Sequence, residues 1–369
     1  MPTFLSEISL NRLIYSSAFL KLKTLSIRSP RTIFETALYF AGGATSMSYA
    51  SMMRRNEPLS WLCLQLRAMS ENFEWFSKLS QVNMNTHPAG IEVYIPEKPW
   101  NYITEKPFEW EEIDFDSGME IMRQGIPVTL QKTKAVYLLN KNRIKAMTDE
   151  EIKMLLSKNV VCDGETVAEL TRRGFSELLG VSAEEISTGG IAERLDDEYD
   201  WNFNFFFSDG ARLTLLSDKA KEVTSYYVVR TQEYAGVASV YAETALGGRW
   251  AVVAYRLFSH IMSFAKRNRI VEAFEWVGGK LPAKLTTPER MLLFARVDEN
   301  ERLRAVSVVN TSVGASDTTR LELVGEYHDA EWYSIGKAAL RVETDACNGT
   351  TLVTLPKIDG WSVGTLFLN

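Results

Sequence analysis

Apolar residues recur at three- and four-residue spacing in the first part of the chain and at two-residue spacing in the last eighty positions, so the folding grammar changes along its length. Ile33, Ala37, Phe40 and Ala41 fall at i, i+4, i+7 and i+8, the stripe of a helix with one buried face over residues 31–41. Ser29 is placed to cap this helix, Pro30 suits its first turn, and Gly42-Gly43 stops it. A second helix opens at Pro58 and sets Leu59, Leu62, Leu66, Met69, Phe73 and Phe76 on one side. With short strands expected over 3–8 and 44–49, the segment reads strand, helix, strand, helix. Two such pairs cannot cover both faces of a parallel sheet, so residues 1–112 are expected to be the end of a (β/α)8-type barrel that starts before Met1. From Pro88 to Glu112 the pattern gives way to Pro96, Pro99 and Pro107 with Trp100, Tyr102, Phe108 and Trp110 between them, which predicts a connector.

A second region, 113–285, alternates helical and strand patterns. Helices are expected over 115–124, 149–157, 165–173 and 257–274, and strands over 126–130, 135–139, 159–162, 201–207, 212–215, 223–229 and 249–255. Thr148 and Glu151 have the spacing of a capping box. The consistent outcome is a flavodoxin-like three-layer domain. After Pro282 and Pro288 helices cease. Alternating strands over 292–296, 305–309, 320–323, 340–344, 351–355 and 361–368 predict a small antiparallel β-sandwich over 286–369.

Composition narrows the function. The chain has 41 basic and 47 acidic residues, a net charge of −6 and no run of five Lys or Arg, which argues against a nucleic-acid partner. No apolar stretch reaches the roughly 18 residues of a membrane helix, and no secretory signal is visible, so the expectation is a cytoplasmic protein without membrane contact. Cys63, Cys162 and Cys347 form no CxxC pair, and His87, His260 and His328 share no ligand spacing; no metal and no cofactor are expected.

Four passages carry a family resemblance. The opening S-E-I-S-L-N and the helix R-T-I-F-E-T-A-L-Y-F-A-G-G-A-T resemble the seventh strand, helix and eighth strand of a glycoside hydrolase family 42-like β-galactosidase barrel. G-I-P-V-T-L, A-V-Y-L-L-N, T-D-E-E-I-K-M-L-L and V-V-C-D-G-E-T-V-A-E-L-T-R-R-G resemble that family's trimerisation domain, which is like a class I glutamine amidotransferase. G-G-R-W-A-V-V-A-Y and F-E-W-V-G-G-K-L-P are similar to the closing strand and exit helix of the same domain. V-S-V-V-N-T-S and L-P-K-I-D-G-W-S-V-G are similar to the terminal sandwich.

The resemblance implies the C-terminal portion of a retaining glycoside hydrolase that degrades carbohydrate. Retention needs a nucleophilic carboxylate and a proton-donating carboxyl about 5–5.5 Å apart. Glu7, at the end of a predicted strand where barrel enzymes keep catalytic groups, matches the family's nucleophile. Asn56-Glu57-Pro58 imitates a glycosidase acid/base triplet, but the family's acid precedes its nucleophile, so the true donor is expected upstream of Met1 and the chain alone is expected to be inactive. Trp100 and Tyr102 are candidate platforms for a galactoside-like sugar, whose rings present flat apolar faces. Cys162 sits where an amidotransferase keeps its nucleophile, but Val160 replaces the glycine of the sharp turn and no His-x-Glu follows, which points to a silent scaffold. Gly189-Gly190 and Gly247-Gly248 lack phosphate-loop spacing, and the acceptor-like triplets at Asn310 and Asn348 read as turns. An incomplete barrel should associate, so a homo-oligomer is expected. The alternative is a non-catalytic oligomerisation or carbohydrate-binding module.

Overall fold

A computed structural model describes residues 28–46, 67, 69–93, 121–129, 137–139, 141–187, 190–194, 201–203, 209–255 and 263–369. Helix α1 (Arg28–Ala41) and helix α2 (Phe73–Met84) lead into strands β1 (His87–Ala89) and β2 (Ile91–Val93). Then come β3 (Val128–Thr129), β4 (Tyr137–Leu139), α3 (Lys141–Ala146), α4 (Asp149–Leu156), β5 (Val160–Asp163), α5 (Gly164–Arg172) and α6 (Ser176–Leu179). A run of strands follows: β6 (Val181–Ser187), β7 (Ile191–Arg194), β8 (Trp201–Phe203), β9 (Asp209–Leu215), β10 (Ala220–Val228), β11 (Tyr234–Glu243) and β12 (Arg249–Val253). Helix α7 (Phe264–Gly278) separates these from β13 (Ala283–Leu285), β14 (Leu292–Val297), β15 (Leu303–Asn310), β16 (Thr319–Val324) and β17 (Ala330–Ser334). The chain closes with β18 (Leu340–Val342), β19 (Thr344–Cys347), β20 (Thr350–Leu355) and β21 (Ser362–Leu368). The fold is mixed α/β with several sheets.

The chain forms two compact units, neither continuous in sequence: residues 1–90, 121–131 and 281–369 in one, and 91–120 and 132–280 in the other. In the first, an antiparallel sheet of order β1-β14-β15-β21-β17-β18 faces a second of order β13-β16-β20-β19. Leu293, Ala295, Val306, Val308 and Leu366 from one sheet meet Leu321, Leu323, Val353 and Leu355 from the other in a common core. Strict alternation would leave the outer face polar, yet every residue of β14 and β21 is buried. The cover is α1 and α2. Phe34 meets Trp361 edge-on at 6.0 Å, Lys78 pairs with Glu331 and lies 4.7 Å from the centre of the Phe367 ring, and the Tyr333 hydroxyl donates to Glu74 at 3.2 Å. Pro88, expected in a connector, lies instead in β1. This is an edge strand, where a residue without an N–H costs the ladder little.

Arg296 and Asn83 tie the helices to that sheet. The Arg296 side chain, 3% exposed, donates from Nη2 to the carbonyls of Asn83 (3.0 Å) and Thr86 (2.8 Å) and from Nε to Thr86 Oγ1 (3.1 Å). It thereby places a cation at the carbonyl end of α2, where the helix dipole is negative. Asn83 Nδ2 donates to the carbonyls of Phe40 (2.8 Å) and Ala44 (2.9 Å), satisfying the end of α1.

In the second unit, β2, β4, β5 and β12 run parallel in that order, and the sheet continues antiparallel through β11, β10, β7 and β8, with β9 bridging β6 and β11. All four residues of β5 are buried, as a central parallel strand requires. The capping box forms as its spacing predicts: Glu151 N donates to Thr148 Oγ1 (3.2 Å) and Thr148 N to the Glu151 carboxylate (2.7 Å). Gly248 is required by close approach, since a Cβ there would lie 2.3 Å from the Lys158 carbonyl oxygen. Gly247-Gly248 is therefore a packing turn.

Gly364 on β21 offers a test of the first unit's packing. A Cβ at this position would lie 2.0 Å from Cζ2 of Trp332 on the neighbouring β17. Gly364→Ala should destabilise this unit by about 1–3 kcal/mol through overpacking, seen as a lower urea midpoint by tryptophan fluorescence. An unchanged midpoint would show that Trp332 has room to move.

Candidate functional site

Glu7, Trp100 and Tyr102 lie outside the described residues, as do Asn56 and Glu57. The described part gathers polar groups elsewhere, between the antiparallel half of the second unit's sheet and α7. Strand β7 contributes Glu193, β10 contributes Thr224 and Tyr226, β11 contributes Ser239, the chain after β12 brings Tyr255, and α7 contributes Lys266. Each is at most 8% exposed. Thr224 Oγ1 bonds to both the Glu193 carboxylate and the Ser239 hydroxyl, and Tyr255 is hydrogen-bonded to Glu193. The Lys266 ammonium sits 3.9 Å from the centre of the Tyr255 ring, within cation–π reach.

Local sequence explains this placement and shows the signal that sequence reading missed. Ser263 caps α7 by accepting from Lys266 N at 3.0 Å. Lys266 then starts the buried stripe continued by Ile270, Phe274 and Val277 at i+4, i+8 and i+11. A lysine in an apolar stripe needs a carboxylate and a ring to receive it, and Glu193 and Tyr255 are those groups.

Burial lowers the Lys266 pKa from its usual 10.5 to about 8, against the attraction of Glu193, which raises it. Burial, reinforced by Glu193 and Tyr226, pushes Tyr255 well above 10. Tyr241, beside the same recess, is raised to about 12, chiefly by burial and then by Glu272. The cluster is closely hydrogen-bonded, but the recess lined by its Glu193, Ser239 and Tyr255 has room for about one water molecule. It is too small for a sugar ring.

Cys162 is fully buried in β5, and burial together with the neighbouring Asp163 pushes its thiol pKa well up. Asp163 is occupied as the cap of α5, accepting from Thr166 N (2.8 Å) and Thr166 Oγ1 (2.6 Å). A buried thiol beside a capping carboxylate lacks the features of a nucleophile. Asn310 is buried and donates to the carbonyls of Gly314 (3.0 Å) and Ile358 (3.1 Å), so it staples a loop, while Asn348 (φ 52°) and Gly349 (φ 75°) form the tip of the β19–β20 hairpin. Among the described residues no group of three or more His, Cys, Asp or Glu is gathered to hold a metal, and no helix is long and apolar enough to cross a membrane.

No family model matches the sequence, and no curated protein matches it. Solved structures do match. The chain superposes on alpha-L-fucosidase isoenzyme 2 from Paenibacillus thiaminolyticus with a TM-score of 0.62 and 13% identity, covering 92% of this chain and 57% of that one. A rhamnosidase from Novosphingobium sp. PP1Y aligns over 93% of this chain and 30% of its own, at 10% identity and a TM-score of 0.44. The chain thus spans little more than half the length of the fucosidase, and the likeness to it is one of fold.

Two measurements check the chemistry of the second unit. The native Lys266 pKa lies below its unfolded value, so from about pH 8 to about pH 10 the unfolded chain binds more protons at this residue and the unit's stability rises with pH. Above about pH 10 the sign reverses, because Tyr255 and Tyr241 stay protonated in the native unit while unfolded tyrosines ionise. Urea titrations should show a gain on the order of 2 kcal/mol between pH ~7.5 and ~9.5, and a flat response in Lys266→Met. A rise that persists in Lys266→Met would assign it to another group. Separately, native alkylation with iodoacetamide followed by peptide mapping should label the exposed Cys347 and spare Cys162; modification of Cys162 at a comparable rate would contradict its burial.

Proposed function

We propose that the chain is the C-terminal portion of a retaining, β-galactosidase-like glycoside hydrolase acting in carbohydrate degradation. Glu7 would be the nucleophile, Trp100 and Tyr102 would line the sugar site, and the acid/base carboxyl would come from barrel sequence that this polypeptide does not supply. The observation that carries the reading is the fold likeness over 92% of the chain to an α-L-fucosidase. The sequence resemblance to family 42-like enzymes points the same way independently. Likeness to a fucosidase adds a second substrate to try, because L-fucose is a 6-deoxy form of L-galactose and both sugars carry an axial 4-hydroxyl. A homo-oligomer is part of the proposal, since the edges of an incomplete barrel need covering.

Retention needs two carboxyls, so one glutamate without its donor loses both leaving-group protonation and activation of the second-step water. Nitrophenyl β-galactoside and α-L-fucoside assays on the 369-residue chain should therefore show no turnover beyond that of Glu7→Gln. Saturable hydrolysis that Glu7→Gln abolishes would mean that the chain contains its own acid, and would overturn the division of the site. If a polypeptide extended by the upstream barrel sequence also hydrolyses no glycoside, the non-catalytic module becomes the better account.

A further inference from the structure

Three adjacent strands of the second unit's sheet carry a strip of polar and aromatic groups on the face opposite the buried cluster. Tyr227 on β10 is paired with Tyr234 on β11, and Ser225 two residues earlier is paired with Arg194 on β7. Strand alternation therefore sets these four side chains on one face. The Arg194 guanidinium lies 5.9 Å from the centre of the Tyr227 ring, and the two tyrosine rings meet edge to face at 6.1 Å and 86°. Tyr234 is 57% exposed, and its hydroxyl reaches the Glu222 carboxylate at 3.5 Å, the long end of a hydrogen bond and easily exchanged for a ligand. Glu222 also accepts from Ser225.

We infer that this strip is a carbohydrate-binding surface for a neutral glycan, with the Tyr234 ring under the C–H face of a sugar and Arg194 and Glu222 addressing the hydroxyls at its rim. The inference rests on the carbohydrate-processing reading given under Proposed function. One cation and one anion flank the rings, so the strip favours neither an acidic nor a basic ligand. A ligand that is apolar on its faces and hydroxylated at its edges matches both kinds of group. Addition of a peptide strand is not available here, because β10 is already hydrogen-bonded to β11 on one side and β7 on the other.

The test is affinity electrophoresis of the Glu7→Gln chain in native gels containing soluble neutral polysaccharides, a β-galactan and a galactomannan among them. Retardation by at least one is expected. Tyr234→Ala should weaken it roughly five- to tenfold, Tyr234→Phe should keep most of it because the ring remains, and Arg194→Gln should weaken it independently. Circular dichroism verifies that each variant is folded. No retardation by any polysaccharide would overturn the inference. So would retardation that survives both Tyr234→Ala and Arg194→Gln but is lost in Trp100→Ala, a result that leaves the hydrolase reading standing. Binding that depends on Tyr234 would support the surface even if the barrel-extended protein hydrolyses no glycoside.

Discussion

The first unit depends on one constraint: strands β14 and β21 of its six-stranded sheet are buried on both sides, so it is stable only while something covers the side turned away from the sandwich core. Helices α1 and α2 provide that cover, and the buried Arg296 fixes α2 by bonding to the Asn83 carbonyl in its last turn and to the Thr86 carbonyl just beyond it. Asn83 extends the same solution to α1. The connection is polar at helix ends and apolar along helix faces. Backbone groups that would otherwise be buried without partners are thus satisfied by two side chains, one from the sheet and one from a helix.

The second unit treats the same difficulty differently. Its parallel half is nearly continuous in apolar residues, while its antiparallel half admits a glutamate and two hydroxyls beneath α7, which itself contributes a buried lysine. A buried pair of this kind adds little to stability compared with a well-packed apolar equivalent, but removing one member leaves the other costly. Such a cluster fixes how α7 lies on the sheet, because only one placement brings Lys266 to Glu193 and to the Tyr255 ring.

Much of the secondary structure was legible because it follows local rules. The stripe of Ile33, Ala37 and Phe40, the Thr148–Glu151 box, and β14 and β15 lie close to where periodicity and capping predict them. Strand β11 was not predicted, although it is ten residues long, because Gly236 and Ser239 interrupt its apolar alternation; Ser239 belongs to the buried polar cluster, which only the tertiary fold assembles. Strand β17 was missed for a related reason: Trp332 and Tyr333 are adjacent and both buried, so a sheet covered on two sides carries no two-residue signal. Lys266 was overlooked because a lone lysine in a helix is ordinarily solvated, and its carboxylate lies more than seventy residues away in sequence. Glu7, Trp100 and Tyr102, proposed for the sugar site, lie outside the described residues, so the fold does not bear on those three side chains.

The discontinuity of the first unit has a practical side. A polypeptide starting at residue 281 would contain β13 to β21 yet lack α1, α2 and β1, leaving Phe367 and its neighbours bare and the β14 edge without a partner. Such a fragment should be sticky when expressed alone, however well formed its sandwich looks in isolation. During synthesis the helices emerge first and must wait for strands made some two hundred residues later, so this unit assembles only after the last stretch leaves the ribosome.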